Sequence, residues 1–232
     1  MKRTASTTQI TVTRNGPYMV TGEVPLSEQM IETNAAGESE RWASHHLPSA
    51  GEKFALCRCG HSGHKPFCDG THAKVGFDGT ETADQTPYLE RAKEYDGPSL
   101  ALLDVENLCA FARFCDSNGQ VWNEVANTSD PEQRKIFVRQ VENCPSGRLT
   151  VWDKAQGRLI EHELEPSIGF IEDPAQGCSG PIWVRGGLEV TSADGHAYEV
   201  RNRVTLCRCG QSRNKPFCDG THAAIKFRAK SV

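Results

Sequence analysis

Leu56-Cys57-Arg58-Cys59-Gly60-His61-Ser62-Gly63-His64-Lys65-Pro66-Phe67-Cys68-Asp69-Gly70-Thr71-His72 is written twice in this chain of 232 residues. It returns 150 positions later as Leu206-Cys207-Arg208-Cys209-Gly210, running on through Lys215-Pro216-Phe217-Cys218-Asp219-Gly220-Thr221-His222. Across Leu56–Ala73 and Leu206–Ala223, 15 of 18 residues are identical; the differences are His61/Gln211, Gly63/Arg213 and His64/Asn214. Both copies keep the spacing Cys-x-Cys-x8-Cys-x3-His. Residues two apart on an extended chain face the same way, so Cys57 with Cys59, and Cys207 with Cys209, can each grip one metal ion. Residues four apart meet on one face of a helical turn, which predicts Cys68 beside His72 and Cys218 beside His222. Asp69 and Asp219 are placed to cap those turns. Two donors from an extended arm and two from a helix start suit a binuclear cluster, one iron to each pair. A structural zinc site also takes three thiolates and an imidazole, and spacing alone leaves it open.

The order of residues resembles the CDGSH (mitoNEET-like) iron–sulfur family, Cys-x-Cys-x2-Ser/Thr-x3-Pro-x-Cys-Asp-Gly-Ser/Ala/Thr-His. Ser62, Pro66 and Cys68-Asp69-Gly70-Thr71-His72 fill the later positions of the first copy. Ser212, Pro216 and Cys218-Asp219-Gly220-Thr221-His222 fill those of the second. The resemblance implies two [2Fe–2S] clusters. One would be held by Cys57, Cys59, Cys68 and His72, the other by Cys207, Cys209, Cys218 and His222. It also implies that two cluster lobes share one β structure, which a chain holding both copies can build internally about a pseudo-twofold axis. The expected fold is therefore α+β: two CDGSH units, each a β-rich cap plus a small cluster-binding lobe, forming an intramolecular pseudo-dimer with a ferredoxin-like α/β insert.

Working outward, three segments are expected: residues 1–78 and 166–232 as the two CDGSH units, and 79–165 as the insert. Gln9–Thr13 alternates like a strand, Asn15-Gly16 is a hairpin turn, and Pro17–Gly22 returns. Gly180–Gly186 echoes Gly16–Gly22, and Ala193-Asp194-Gly195 reads as a turn between Leu188–Val190 and Ala197–Val200. Phe54–Leu56 and Arg203–Leu206 lead into the two cysteine stretches. The Gly-Pro offset is 164 against 150 for the cysteines, so the first copy carries 14 extra residues before its cysteines. Residues 27–52, polar and small, read as a loop or short helix. In the insert, Thr86–Glu94 and the run from Asp130-Pro131-Glu132 read as helices, Asp104–Cys115 has helical apolar spacing, and Leu149–Trp152 and Arg158–Ile160 read as strands.

The insert also carries Cys109-x5-Cys115 and later Cys144-Pro145, which resembles the divergent single-cluster ferredoxin domain, where three such cysteines serve a [3Fe–4S] or [4Fe–4S] centre. Ala112 stands at the middle ligand position, and Phe111 and Phe114 occupy places where small residues let backbone wrap sulfide. Cys178 is the one other cysteine that could complete a set of four. These departures favour the alternative, an insert that keeps its cysteines as small buried hydrophobes.

Net charge is −4, so no basic field advertises nucleic acid. No apolar run approaches membrane-spanning length, and Met1–Thr8 lacks the apolar core of a secretory signal. Ten cysteines in such a chain read as metal ligands rather than disulfides, which places it in the cytoplasm. No nucleotide-binding glycine fingerprint or nucleophile set is present. The expectation is a monomeric, non-enzymatic carrier of single electrons, working with redox partner proteins, with neither nucleic acid nor membrane as partner. Cluster storage and transfer to apo-acceptors is the alternative, and a structural zinc-binding interaction module is the alternative of another class. A neutral imidazole ligand raises the cluster's potential relative to all-thiolate ligation and adds an acid-sensitive bond.

Overall fold

A computed structural model describes residues 8–229; the stretch that bears on a secretory signal lies almost wholly outside them. The chain begins with a hairpin of β1 (Gln9–Val12) and β2 (Tyr18–Thr21), turning at Asn15-Gly16 as the sequence predicts. Next come β3 (Leu26–Thr33), β4 (Ser39–His46) and β5 (Lys53–Leu56), then the first cysteine loop, closed by the single-turn helix α1 (Thr71–Lys74). The middle of the chain holds α2 (Tyr88–Arg91), β6 (Lys93–Asp96), β7 (Leu100–Asp104), α3 (Val121–Glu124), α4 (Pro131–Glu142), β8 (Leu149–Asp153) and β9 (Arg158–Ile160). After them follow β10 (Ser167–Asp173), β11 (Cys178–Arg185), β12 (Glu189–Thr191), β13 (Arg203–Leu206) and α5 (Thr221–Ala224). The architecture is α+β, mostly sheet with few helices. Among the described residues, no helix is long and apolar enough to cross a membrane.

Three sheets form, in the orders β12-β1-β2-β5, β13-β11-β10-β3-β4 and β6-β7-β8-β9. The first two repeat one plan. Tyr18 pairs with Leu56 across β2 and β5, as Ile182 pairs with Leu206 across β11 and β13. Each sheet then takes its next strand from the other end of the chain. β12 lies parallel to β1 (Ile10 opposite Val190), and β3 lies parallel to β10 (Ile168 opposite Leu26). Parallel neighbours need a long connection, and here that connection passes to the opposite sheet. One apolar core results, joining Ile10, Tyr18, Val20 and Leu56 of the first copy with Ile168, Ile182, Val184 and Leu206 of the second.

Residues 27–52 are not a loop or helix but the hairpin of β3 and β4, which also accounts for the 14 extra residues. β4 hides its alternation because it is an edge strand exposed along most of its length. Of Ala197–Val200, only Ala197 bridges, to Thr191, with Tyr198 N–H donating to the Val190 carbonyl; the other side of β12 pairs with β1. In the middle segment, Asp130 caps α4 by accepting from the Glu132 and Gln133 amides, and Phe137 and Val141 bury against Leu102 and Val151. Asp104–Cys115 is not a helix. Two short 3₁₀ turns flank an irregular loop in which Phe111 and Arg113 take positive φ, at 55° and 63°. Side chains disfavour that backbone region, and no glycine marks it in the sequence.

Candidate metal centres

Each cysteine loop hangs from the end of a strand and folds back onto it. Cys57 N–H donates to the Pro66 carbonyl (2.8 Å) and Cys68 N–H to the Ala55 carbonyl (2.9 Å). The second copy repeats both bonds, Cys207 to Pro216 and Cys218 to Thr205, at the same lengths. The arm bearing the first two cysteines and the arm bearing the third are thereby locked side by side. Gly70 and Gly220 supply the left-handed step (φ 85° and 86°) that starts each single-turn helix, so the helices begin one residue later than a cap at Asp69 or Asp219 implies. Those carboxylates still order the loop. Asp69 accepts from the Gly63 and Thr71 amides, and Asp219 from those of Arg213 and Thr221. The Gly63 N–H, with the bonds from Thr71, holds the Asp69 carboxyl below the usual range.

The eight candidate ligands gather as four pairs. Cys57 and Cys59 have their Sγ atoms 3.8 Å apart, and Cys207 and Cys209 theirs 3.7 Å apart. Cys68 Sγ lies 3.4 Å from His72 Nδ1, and Cys218 Sγ 3.4 Å from His222 Nδ1. Two thiolates each ~2.3 Å from one tetrahedral metal stand about 3.8 Å apart, so the donor pairs already have chelating separation. Among the described residues no three His, Cys, Asp or Glu side chains converge on one ion position. The donors are set out two by two.

One thiol of each Cys-x-Cys pair is prepared to lose its proton. Cys59 donates to Cys57, which with backbone N–H groups lowers Cys57 to about 6 while Cys59 is raised. Cys209 does the same for Cys207, lowered to about 7. Burial pushes the Cys218 thiol up. Backbone amides of Gly70 and Gly220 point at the sulfurs of Cys68 and Cys218, each at 3.4 Å. Ser62 and Ser212 do not reach sulfur through their hydroxyls. They donate to the Phe67 and Phe217 carbonyls and so perform turn chemistry. Lys65 and Lys215 fold back onto the Ser62 and Ser212 carbonyls, from where Lys65 helps to lower Cys57.

The residues between the paired cysteines matter more than sequence reading allows. Arg58 is 1% exposed and Arg208 4%. Arg208 donates from Nε to the Gly180 carbonyl, and from Nη2 to the Ile171 carbonyl and Glu172. Arg58 donates to the Thr13 and Gly79 carbonyls, under the faces of Tyr18 and Phe77. A buried guanidinium thus lies next in chain to both thiolates of each pair. The signal was available: arginine fills the middle of Cys-x-Cys in both copies.

The two centres touch. A Cβ added to Gly60 would sit 2.5 Å from the Cys209 carbonyl oxygen, and one on Gly210 would sit 2.5 Å from that of Cys59. Tyr18 crosses from the first copy to donate to the Cys207 carbonyl at 2.8 Å. Their surroundings differ, however. His222 is buried, whereas His72 is partly exposed; Asn214 is buried, whereas its counterpart His64 is exposed. Burial, helped by Arg208, lowers His222 to about 4.

Cys109, Cys115 and Cys144 line one cavity in the middle segment, with Ala112 and Arg148. Cys178 is elsewhere, beside Glu172, Asp173 and Arg228, and completes no set of four. Burial raises the Cys115 thiol.

Family comparisons agree with the duplicated geometry. The family described as iron-binding zinc finger, CDGSH type, matches residues 15–73 and again 179–223, and the family described as divergent 4Fe-4S mono-cluster matches residues 95–154. Neither a curated protein nor a solved structure matches the chain. The chain is thus a CDGSH-type iron–sulfur protein in which two CDGSH repeats flank a divergent ferredoxin-like segment.

Proposed function

We propose that the protein carries single electrons through two [2Fe–2S] clusters, one on Cys57, Cys59, Cys68 and His72 and the other on Cys207, Cys209, Cys218 and His222. The observation that carries this reading is the two-by-two spacing of donors, which suits one iron per pair. A mononuclear zinc site instead asks four donors to meet at a point. When bound, each cluster supplies a one-electron couple; the protein's part is to tune and shield it. Imidazole in place of a fourth thiolate removes negative charge, and the guanidinium of Arg58 or Arg208 offsets more. Both favour the reduced state. The chain acts as a carrier and not as a catalyst, exchanging electrons with soluble redox proteins in the cytoplasm.

The two repeats, residues 1–78 and 166–232, act as an intramolecular pseudo-dimer around the 79–165 insert. The strand each sheet borrows from the other copy, and the reciprocal approach of Gly60 and Gly210, support this reading. Stepwise reduction of anaerobic protein, followed by EPR and absorption, tests the carrier role. The expected result is reversible one-electron uptake at each centre with iron retained. The partly exposed His72 and Cys68 favour cluster transfer as a second reading. Under it, the visible spectrum would move to an added apo-ferredoxin within the time of reduction.

Acid should separate the two centres. A proton and a metal compete for the same imidazole nitrogen. Burial and Arg208 make His222 the weaker base, so its bond should survive to lower pH. Expected bleaching is biphasic. The early phase belongs to the centre with His72, and His72→Cys should abolish it. In metal-free protein the same His222 shift has the sign of an acid-labile fold. The folded form resists a proton that the unfolded chain accepts, so stability is complete above about 6.5 and is lost as pH falls from there towards 4.

A further inference from the structure

The cysteine loops of the two repeats present equivalent faces, and the chain covers only one of them. On the second repeat, the insert's cysteine loop is seated directly. A Cβ on Gly220 would lie 3.3 Å from the Cys109 carbonyl oxygen and 3.7 Å from Phe111 Cβ. Asn214 donates its amide to the Asn107 carbonyl at 2.8 Å, and Thr82 straps the same loop by donating to the Arg213 and Lys215 carbonyls. On the first repeat, a Cβ on Gly70 would meet nothing within 4 Å, and His64, the counterpart of Asn214, is exposed with its ring free among the described residues. The seated loop belongs to the segment that matches the divergent 4Fe-4S mono-cluster family, and it brings exposed acids with it: Glu106 precedes Asn107, and Asp116 follows Cys115. The first repeat carries Lys65 and Lys74 with exposed His61 and His64, against the one exposed carboxylate of Asp69 in its cysteine loop.

From this pairing of a filled seat with an empty twin, we infer that the first repeat docks a separate acidic ferredoxin-type iron–sulfur protein, which places its cysteine loop over Gly70 as the insert places its own over Gly220. The inference rests on the cluster reading given above, since docking there serves traffic through the first centre. An exposed imidazole at position 64 can donate to a partner carbonyl as Asn214 does to Asn107. Gly63, where the second repeat carries Arg213, leaves room for that approach. The insert works as a tethered cap on one centre, so exchange with other proteins is confined to the other.

The test is calorimetric titration of the full, cluster-loaded chain with a purified acidic single-cluster [4Fe–4S] ferredoxin at low ionic strength. Binding should weaken at least tenfold in His64→Glu and be kept in His64→Asn, which copies the second repeat. It should be unchanged in Arg213→Glu, which alters the corresponding position of the capped repeat. Absorption of every variant is recorded first. A preparation without an iron–sulfur spectrum sinks the cluster reading, and this inference with it. A loaded chain that does not bind the ferredoxin, or one whose binding ignores position 64 or follows position 213, overturns the docking site alone.

Discussion

Gly60→Ala and Gly210→Ala are each expected to cost about 3 kcal/mol or more and to strip iron from both centres rather than one. Two penalties act at each position. The backbone sits at φ 81° or 79°, where a side chain costs about 1–2 kcal/mol. The new methyl would also meet the opposite repeat's carbonyl oxygen at 2.5 Å, which forces backbone apart and adds about 1–3 kcal/mol. Gly51→Ala is the internal control. Its φ is 82° but nothing lies within 4 Å of the added carbon, so only the conformational cost of about 1 kcal/mol applies. Urea unfolding with iron quantification checks the set. Two repeats acting as independent beads would show equal, small losses for all three changes.

Arg208→Met should hit the second centre harder than any neighbouring surface change. It leaves the Gly180 and Ile171 carbonyls without their donor and Glu172 without its cation. Breaking a buried pair of this kind costs about 3–5 kcal/mol. Glu172 keeps some contact with water, which brings the expected loss to about 2–4 kcal/mol. Removing a fixed positive charge should also lower the reduction potential of the centre that holds His222, while the other keeps its own. Arg208→Lys separates the two effects, because it preserves charge but cannot reproduce the fork of hydrogen bonds. Potentiometric EPR reads the potentials, and an unshifted second centre in a folded Arg208→Met chain would show that the guanidinium is only structural.

Much of this molecule was legible before any coordinates. The Asn15-Gly16 turn, the strands feeding both cysteine loops, the cap of α4 and the pairing of donors all follow from local rules that act within a few residues. What escaped is non-local. β3 and β4 read as polar loop because β4 is an edge strand with little to bury, and nothing in Leu26–Thr33 says that its partner is β10. The helical reading of Asp104–Cys115 failed because the loop takes left-handed steps at Phe111 and Arg113, residues that seldom announce them. Nothing local marks the arginines between the cysteines as buried. Their burial depends on carbonyls supplied from Thr13, Gly79, Ile171 and Gly180, which only the assembled fold brings near. The difference between the two centres was half visible, in three substitutions within 18 residues. What those substitutions face was not.

Iron, zinc and acid-labile sulfide measured together on anaerobically isolated protein bear most directly on the account. Two binuclear centres, with the insert's cysteines kept as buried hydrophobes, predict about four irons and four sulfides per chain, with a reducible, EPR-visible spectrum. Zinc without sulfide would contradict the redox reading outright, and an iron count clearly above four would contradict the reading of the insert's cysteines as buried hydrophobes.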